Sequence, residues 1–344
     1  MPHRRSLASQ VRAGFDMGDP AQRLVFVLPI ALSNTGRDDS DLLRAQLLWA
    51  SLDRYFNKSD LERLIIVSPA RDLPVISQAA APFQASLRID VVDENDICPE
   101  LATDPVTLNK WPKPNTGWFR QQLIKLAIHR YIETAFYITL DCDVLFVRNF
   151  SVRSLIKDGR ADVGVLRSGD FEHTFRTDVA EHEVSVRYAR MRHAEGVLGM
   201  RRPAACLNQW YGETPVILSR DVVSGLVDCI EEKWQKPWRS ALLEHLPWTE
   251  YCLYFLYAEA SGLFERYHAP AGPDCVLRFS QSLWQPSEKY LSPRDLANWD
   301  PQEVFDVDKE GVAVVVQSYL GYPVSGIAQR VAPFLYRERT PNRT

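Results

Sequence analysis

Two acidic residues, Asp141 and Asp143, stand one residue apart in the mostly apolar segment 136–150, which reads FYITLDCDVLFVRNF. Alternate residues of an extended chain point the same way, so both carboxylates can face one small volume. Like charges that close repel unless a cation lies between them or one is protonated. Mg²⁺ or Mn²⁺ supplies that charge and leaves room for phosphate oxygens. The pair therefore predicts a metal site able to handle a diphosphate, and the alternative is a simple turn signal at a strand end.

The elements before the acids predict where they lie. Residues 23–32, RLVFVLPIAL, read as a buried parallel strand, and residues 40–56 read as a helix capped by Ser40 or Asp41. Strands follow in LERLIIVSP and around SLRIDVVDEND. Alternation of this kind favours a Rossmann-like α/β fold, a mostly parallel sheet flanked by helices. In such sheets ligands bind beyond the carboxyl ends of the strands, where the two acids fall.

A helix predicted over residues 115–132 runs directly into the strand that precedes the acids. If this helix ends near Ile132, Gln121 lies about 16 Å back from its end, level with Asp141. Lys125 lies nearer the end of the helix and therefore below the level of Asp141, but its long side chain can reach further toward the acids. The helical residues predicted to share one flank are Trp118, Gln121, Gln122, Lys125 and His129. This flank could contact a diphosphate held over the acids, and the alternative for Lys125 is a solvated surface lysine.

The second half of the chain is less regular. Strands are predicted in ADVGVLRS and ETPVILS, and the latter continues into a helix capped near Ser219 or Asp221. Residues 247–264 read as a further helix and residues 311–323 as a late strand, which together form a C-terminal elaboration. Residues 170–200 are charged and weakly patterned, so we expect a loop or a short helical insertion there.

Composition excludes several classes of protein. The net charge of -4 and the pI of about 6.0 argue against a nucleic-acid binder. No apolar run has the length of a secretory signal or a membrane span. The membrane association that the sequence still allows is a peripheral contact through the basic ends. The scattered cysteines form no CxxC pair and predict reduced core thiols in a cytoplasmic protein. They are Cys98, Cys142, Cys206, Cys229, Cys252 and Cys275.

The unit WFRQQLIKLAIHRYIETAFYITLDCDVLFV, residues 118–147, resembles the K-L … Y … L-D-A-D-x-L segment of DxD glycosyltransferases of the GT-A fold, particularly the glycogenin-like group. Its opening, GWFRQQLIKL, also resembles an uncharacterised bacterial glycosyltransferase-like family. The match covers residues 115–150 well and the first strand loosely. Cys142 stands where the family usually has alanine, which does not alter the pattern.

The resemblance implies a UDP- or GDP-type nucleotide-sugar donor and Mn²⁺ or Mg²⁺ on Asp141 and Asp143. Residues expected along the donor are Pro29, Trp118, Arg120, Gln121, Lys125, Asp141 and Cys142. The family completes its metal site with a histidine in a late H-Y-x-G turn, whereas this chain reads QSYLGYP. Gln317 is the third ligand we predict, with Ser318, a water or His268 as alternatives.

Glu250 is the acid predicted to face the acceptor, in the first turn of its helix, and Asp141 is the other catalytic candidate. The alternative for Glu250 is a helix acid that favours the dipole. Asp221 and His245 are weaker candidates. The aromatic residues that could stack on a sugar are Trp210, Tyr211 and Trp248.

We therefore predict a hexosyltransferase-like enzyme acting on a glycan, lipid-linked or small-molecule acceptor, in bacterial polysaccharide synthesis by analogy. The expected organisation is an arm over 1–20, one GT-A-like domain over 21–330 and a tail over 331–344. Within the domain, residues 21–150 form the nucleotide-sugar half and 151–330 the acceptor half. The alternatives are a non-catalytic sugar-nucleotide or glycan-binding protein and a phosphatase that uses the first acid as nucleophile. A nucleotidyltransferase would need a glycine-rich phosphate loop, which VFVLPIALSNTG does not contain.

Overall fold

The computed structural model describes residues 23–32, 40–99, 101, 116–167, 177–207, 209–245, 248–271, 276, 282–283, 299–308 and 310–336. The alternation predicted for the first half is confirmed. Its elements are β1 (Leu24–Pro29), α1 (Ser40–Tyr55), β2 (Leu61–Ser68), α2 (Leu73–Ala80), α3 (Gln84–Leu87), β3 (Ile89–Asp93), α4 (Glu94–Ile97), α5 (Thr116–Ala127) and β4 (Phe136–Thr139). The arm expected over 1–20, Cys275 and residues 337–344 lie outside the described residues.

The second half is more helical than its sequence pattern predicts. Its elements are β5 (Val144–Phe146), α6 (Val152–Leu155), β6 (Ile156–Lys157), β7 (Arg160–Val163), β8 (Val165–Arg167), α7 (Thr177–Leu198), β9 (Gln209–Tyr211), β10 (Val216–Ser219), α8 (Arg220–Trp234), α9 (Trp238–Glu244), α10 (Glu250–Ala260), α11 (Phe264–Tyr267), β11 (His268–Pro270), α12 (Pro301–Val304), β12 (Ala313–Val315) and α13 (Val324–Leu335). The expectation of a loop or short helical insertion over 170–200 is wrong for the described part, because α7 is one continuous helix of 22 residues, and residues 170–176 lie outside the described residues. The boundary expected at 330 falls within α13, whose Val331 and Leu335 are buried.

A five-stranded sheet organises the fold, in the order β10, β4, β1, β2, β3. The strands β1 to β4 run parallel, and β10 pairs antiparallel with β4 at one edge. The chain moves outward from β1 through β2 to β3 and then returns to the other side of β1 to form β4. The carboxyl ends of β1 and β4 therefore flank a topological switch point, where open α/β sheets place their ligands. The predicted α/β class, a mostly parallel sheet flanked by helices, is confirmed.

The main core packs around this sheet, since β1 is buried along its whole length on both faces. A second, smaller apolar cluster joins α1, β5, β12 and α13, with Leu47, Val314 and Ile327 among its members. Within the described residues, no helix combines the length and the hydropathy needed to cross a membrane.

The late strand β12 ties the end of the chain to the loop that carries the acids. It pairs antiparallel with β5, and the Val316 amide donates to the carbonyl oxygen of Asp143 at 2.8 Å. The buried guanidinium of Arg44 on α1 donates to the carbonyl oxygens of Val316 at 2.9 Å and Tyr322 at 3.4 Å. Three segments far apart in sequence thus meet at one place.

Candidate active site

A cavity of about 560 Å³ opens at the switch point of the sheet. The end of β1 forms one wall through Pro29, Ile30 and Ala31, and α5, α7 and α10 form others. The polar and charged residues that line it are Asp41, Gln121, Lys125, Asp141, Asp143, Arg187, Arg190, Glu213, Thr214, Thr249, Glu250, Gln317 and Ser318. The cavity has the size and the mixed lining of a small-molecule site.

The two acids occupy a turn that follows β4. The Val144 amide donates to the carbonyl oxygen of Asp141 at 3.2 Å, and this bond closes the turn. The premise that the acids lie on an extended strand is therefore wrong, although the turn still directs both into the same cavity. A turn signal and a shared site coexist here, so the two interpretations of the sequence do not exclude each other.

Asp143 carries a carboxylate whose charge the fold disfavours. Burial and then the neighbouring charge of Asp141 raise the pKa of Asp143 to about 6. The Ser318 amide donates to Asp143 Oδ2 at 2.9 Å, and this bond and the charge of Arg44 oppose the rise only in part. A cation beside Asp143 would reverse the penalty, because an opposite charge favours the ionised form.

Lys125 forms a buried junction between Asp141 and the first turn of α10. Its Nζ donates to Asp141 Oδ1 at 2.7 Å, to Glu250 Oε1 at 3.1 Å and to the Tyr251 hydroxyl at 3.3 Å. Burial alone would lower the pKa of Lys125, but Asp141, Tyr251 and Glu250 raise it well above its usual value. With a side chain 3% exposed, Lys125 is no solvated surface lysine. Its three N–H donors are directed at these three partners, so it holds the carboxylates in place.

Glu250 is fixed from both its backbone and its side chain. Thr249 caps α10 by accepting from the Cys252 amide at 3.2 Å, and the Glu250 amide donates to Gln122 Oε1 at 3.0 Å. Burial raises the pKa of Glu250, although the nearby Lys125 opposes this. The residue is 4% exposed and lines the cavity. It is thus an interior acid of the site and not a solvated acid at a helix end.

The residues present fit a hard divalent cation. Asp141, Asp143 and Gln317 line the same cavity and offer oxygen atoms alone, the donors that Mg²⁺ and Mn²⁺ prefer. In the part of the chain that the structure describes, no cluster of three or more His, Cys, Asp or Glu residues forms a metal site. A third protein ligand among these residues would therefore be of another type, such as the Gln317 amide.

His268 is not that ligand, which corrects one alternative. It is 1% exposed, lies on β11, and its Nε2 is 2.7 Å from the hydroxyl of Tyr254. Burial lowers the pKa of His268 to about 4, so the ring is neutral in the core.

Other predicted residues divide into those inside and outside the cavity. Pro29, Trp118, Gln121, Cys142, Trp210 and Tyr211 line it. The expectation for Arg120 is corrected, because its guanidinium pairs with the buried carboxylate of Glu94, away from the lining residues. Four more candidates serve the scaffold: Asp221 accepts from Tyr267, His245 stacks on Trp234, the Trp248 indole donates to Leu242, and His129 contacts the Leu126 carbonyl oxygen.

Sequence reasoning missed three charged residues of the cavity lining, Arg187, Arg190 and Glu213. Arg187 and Arg190 on α7 both reach Glu213 Oε1, at 3.1 Å and 3.3 Å. The signal that could have found the arginines is their spacing, since residues three apart share one face of a helix. Glu213 carries no such signal, because it meets α7 only through the tertiary fold.

Comparisons with known proteins identify solved structures of similar shape and one matching protein family. No curated protein matches the sequence. The apo form of mouse xyloside xylosyltransferase 1 is 14% identical over 87% of this chain and 100% of its own, with a TM-score of 0.44. Galactosyltransferase LgtC, solved with donor and acceptor sugar analogs, is 10% identical over 92% of this chain and 98% of its own, with a TM-score of 0.44. Core-mannan synthase A of Aspergillus fumigatus, in its Mn/GDP form, is 10% identical over 70% of each chain, with a TM-score of 0.39.

At these identities and TM-scores the likeness carries no argument about the chemistry of this chain. The family profile described as "Family of unknown function (DUF6492)" matches residues 21–338, which is most of the sequence. The chain belongs to the DUF6492 family.

Proposed function

We propose that this protein is a metal-dependent glycosyltransferase, which moves a sugar from a nucleotide-diphosphate donor to a glycan, lipid-linked or small-molecule acceptor. One observation carries the proposal. At the switch point of a mostly parallel sheet, Asp141 and Asp143 line one open cavity. Burial and the charge of Asp141 disfavour the ionised form of Asp143, and a divalent cation would favour it. A diphosphate is the natural substrate group for such a cation.

Asp143 is the main metal ligand in this proposal, Asp141 shares the metal and faces the donor sugar, and Gln317 supplies a third oxygen. When bound, the metal would neutralise the diphosphate leaving group. Pro29 at the end of β1 and Cys142 lie along the donor. Trp118 and Gln121 on α5 line the same cavity and complete this side.

Lys125 acts through other residues and is therefore a positioning residue. Its Nζ fixes Asp141 and Glu250 at 2.7 Å and 3.1 Å, so one cation sets the separation of a donor-side and an acceptor-side carboxylate. Glu250 is the acid that faces the acceptor hydroxyl. Burial raises the pKa of Glu250, which favours its role as the group that exchanges a proton with the acceptor.

The finer assignments follow from the sequence resemblance. We propose a UDP- or GDP-type donor, transfer of a hexosyl unit, and Mn²⁺ or Mg²⁺ as the metal. The place we propose is the bacterial cytoplasm, in polysaccharide synthesis, with a peripheral membrane contact for lipid-linked acceptors.

A nucleotide-sugar hydrolysis assay tests the proposal. The protein is incubated with a panel of UDP- and GDP-sugars, with Mn²⁺ or Mg²⁺ and with EDTA, and the released nucleoside diphosphate is quantified. We expect metal-dependent release that Asp143→Ala abolishes. The matched control is Glu232→Ala, which removes an exposed acid on α8 that does not line the cavity. Release that Asp143→Ala leaves intact would contradict the proposal.

A glycan- or nucleotide-sugar-binding protein is the second candidate. It is favoured by the missing histidine ligand and by the engagement of Glu250 with Lys125. Tight binding of a nucleotide sugar without turnover would support this candidate. Hydrolysis of p-nitrophenyl phosphate would instead support the phosphatase.

A further inference from the structure

One face of α7 changes character where it reaches the cavity. Toward the carboxyl end of the helix, this face buries Met191, Ala194, Val197 and Leu198. Seven residues before Ala194 and Val197, at the same positions of the helical repeat, stand Arg187 and Arg190. Both line the cavity, and Arg187 is only 6% exposed. Two guanidinium groups thus occupy positions that continue a core-facing stripe.

Arg190 lines the cavity and has more N–H donors than its ion pair with Glu213 uses. Its ion pair with Glu213 is long, at 3.3 Å, and uses an oxygen that Arg187 already contacts at 3.1 Å. A guanidinium has five N–H groups in a planar fork that matches a carboxylate or phosphate in a bidentate manner. The side chain of Arg190 is 33% exposed, so a ligand in the cavity can reach it.

The arginines and the two acids engage different partners in the cavity. Arg187 and Arg190 pair with Glu213, which follows β9. Asp143 accepts from the Ser318 amide, which follows β12, and Asp141 accepts from Lys125. The arginines therefore engage a carboxylate other than the two acids.

Flat apolar surfaces accompany the arginines. The guanidinium carbon of Arg190 is 5.7 Å from the centre of the Trp118 ring. Because the proposed function places Trp118 along the donor, this ring borders the donor as well as the arginines. Trp210 and Tyr211 also line the cavity and are 3% and 8% exposed, whereas Trp118 is 40% exposed. Aromatic faces next to a hydrogen-bonding cation are a recurrent setting for a charged sugar ring.

We infer that the arginine end of the cavity binds an oxyanion, a carboxylate or a phosphate, carried by the acceptor sugar. The assignment of this oxyanion to the acceptor rests on the proposed function, whereas the oxyanion site itself rests on Arg187, Arg190 and the aromatic residues beside them. Glu213 holds the two guanidinium groups in place and competes with the incoming anion.

Matched glycosides test the inference without a donor. The probes are methyl glucoside, methyl glucuronide, and methyl glucoside phosphorylated on its primary hydroxyl, with dissociation constants measured by saturation-transfer NMR and tryptophan fluorescence. We expect at least one charged probe to bind about tenfold more tightly than the neutral one, as a charge-assisted hydrogen bond provides. The uronide and phosphate arms distinguish the two sources of the oxyanion.

Three variants assign the preference to its residues. Arg190→Gln should abolish the preference for a charged probe. Arg192→Gln makes the same charge change on an exposed position of α7 outside the cavity, and should keep it. Glu213→Gln should strengthen it by about threefold or more, because the competing carboxylate is gone. A structural role for these residues would move melting temperature and not the ratio of the two affinities.

Equal affinity for charged and neutral probes, or a preference that survives Arg190→Gln, would overturn the inference. Competitive displacement of the charged glycosides by UDP or GDP would also overturn it, since the arginines would then belong to the donor. A charged-probe preference without any nucleotide-sugar hydrolysis would support the oxyanion site while refuting the transferase.

Discussion

Replacing Asp143 by asparagine should stabilise the metal-free protein while removing its response to metal. Burial and the charge of Asp141 raise the pKa of Asp143 from 3.8 to about 6, so the folded state binds this proton more tightly than the unfolded state does. The wild-type protein therefore loses stability as the pH rises from 3.8 to about 6. Asparagine carries no charge and can still accept from the Ser318 amide.

The size of the effect follows from the pKa change. Each pKa unit corresponds to about 1.4 kcal/mol, so ionising Asp143 costs up to about 3 kcal/mol. Because the carboxylate faces an open cavity, we reduce this to about 1 to 3 kcal/mol of gained stability in the variant. For a chain of 344 residues, that corresponds to a rise in melting temperature of about 1 to 4 °C.

The assay is thermal unfolding in EDTA at about pH 8 and about pH 4, repeated with Mn²⁺ at the higher pH. We expect Asp143→Asn to have a higher melting temperature than the wild type at about pH 8 but not at about pH 4. Mn²⁺ should raise the melting temperature of the wild type but not of Asp143→Asn. Asp141→Asn is the matched control, and it should lower stability because Lys125 loses the carboxylate 2.7 Å away. Destabilisation by Asp143→Asn in EDTA, or an equal Mn²⁺ response in both proteins, would refute the reasoning.

Three further predictions concern buried titratable groups. Lys125→Met leaves two carboxylates without their shared cation, so it should lower the free energy of unfolding in urea by about 3 to 5 kcal/mol and abolish turnover. An unchanged free energy of unfolding would contradict the role of Lys125 in holding the two carboxylates. Glu250→Gln should lower the transfer rate by about 10² to 10⁴ and leave donor binding, read by thermal shift, unchanged; a wild-type rate would exclude Glu250 from the reaction. Burial lowers the pKa of His268 from 6.5 to about 4, so stability should fall as the pH drops through this window. His268→Gln should flatten that profile of melting temperature against pH, and a profile that keeps its slope would locate the acid sensitivity elsewhere.

The chemistry that sequence could predict lies within one helix and the strand after it. Lys125 and Asp141 meet because α5 and β4 are antiparallel neighbours whose rises per residue can be computed. Counting residues placed Gln121 level with Asp141 and Lys125 lower, and the long side chain of Lys125 covers the difference. The apolar run of β1 likewise predicted a buried strand, which is confirmed.

The prediction for α7 failed for a physical reason. Hydrophobic periodicity identifies a helix only when the face toward the core is apolar. On α7 the inward face carries Arg187 and Arg190 before it becomes apolar at Ala194 and Val197. The feature that hid the helix is the same one that gives the cavity its basic end.

Contacts between residues far apart in sequence could not be predicted from residue spacing. Arg120 on α5 pairs with Glu94 on α4 rather than facing the cavity, and no local spacing rule predicts that contact. His268 reads as a free ligand in sequence, yet β11 carries it into the core beside Tyr254. Glu213 reaches α7 in the same non-local way.

The attachment of β12 to the acid turn limits how this protein can be shortened. Asp143 accepts from the amides of Val316 and Ser318 through its carbonyl oxygen and its carboxylate, and Arg44 donates to the carbonyl oxygen of Val316. A fragment that stops before β12 would retain the DxD tripeptide and still lack the amides that orient Asp143. Deletion from the carboxyl terminus first removes the buried face of α13, so mapping of activity should report complete loss no later than residue 318, long before the sheet itself is reached.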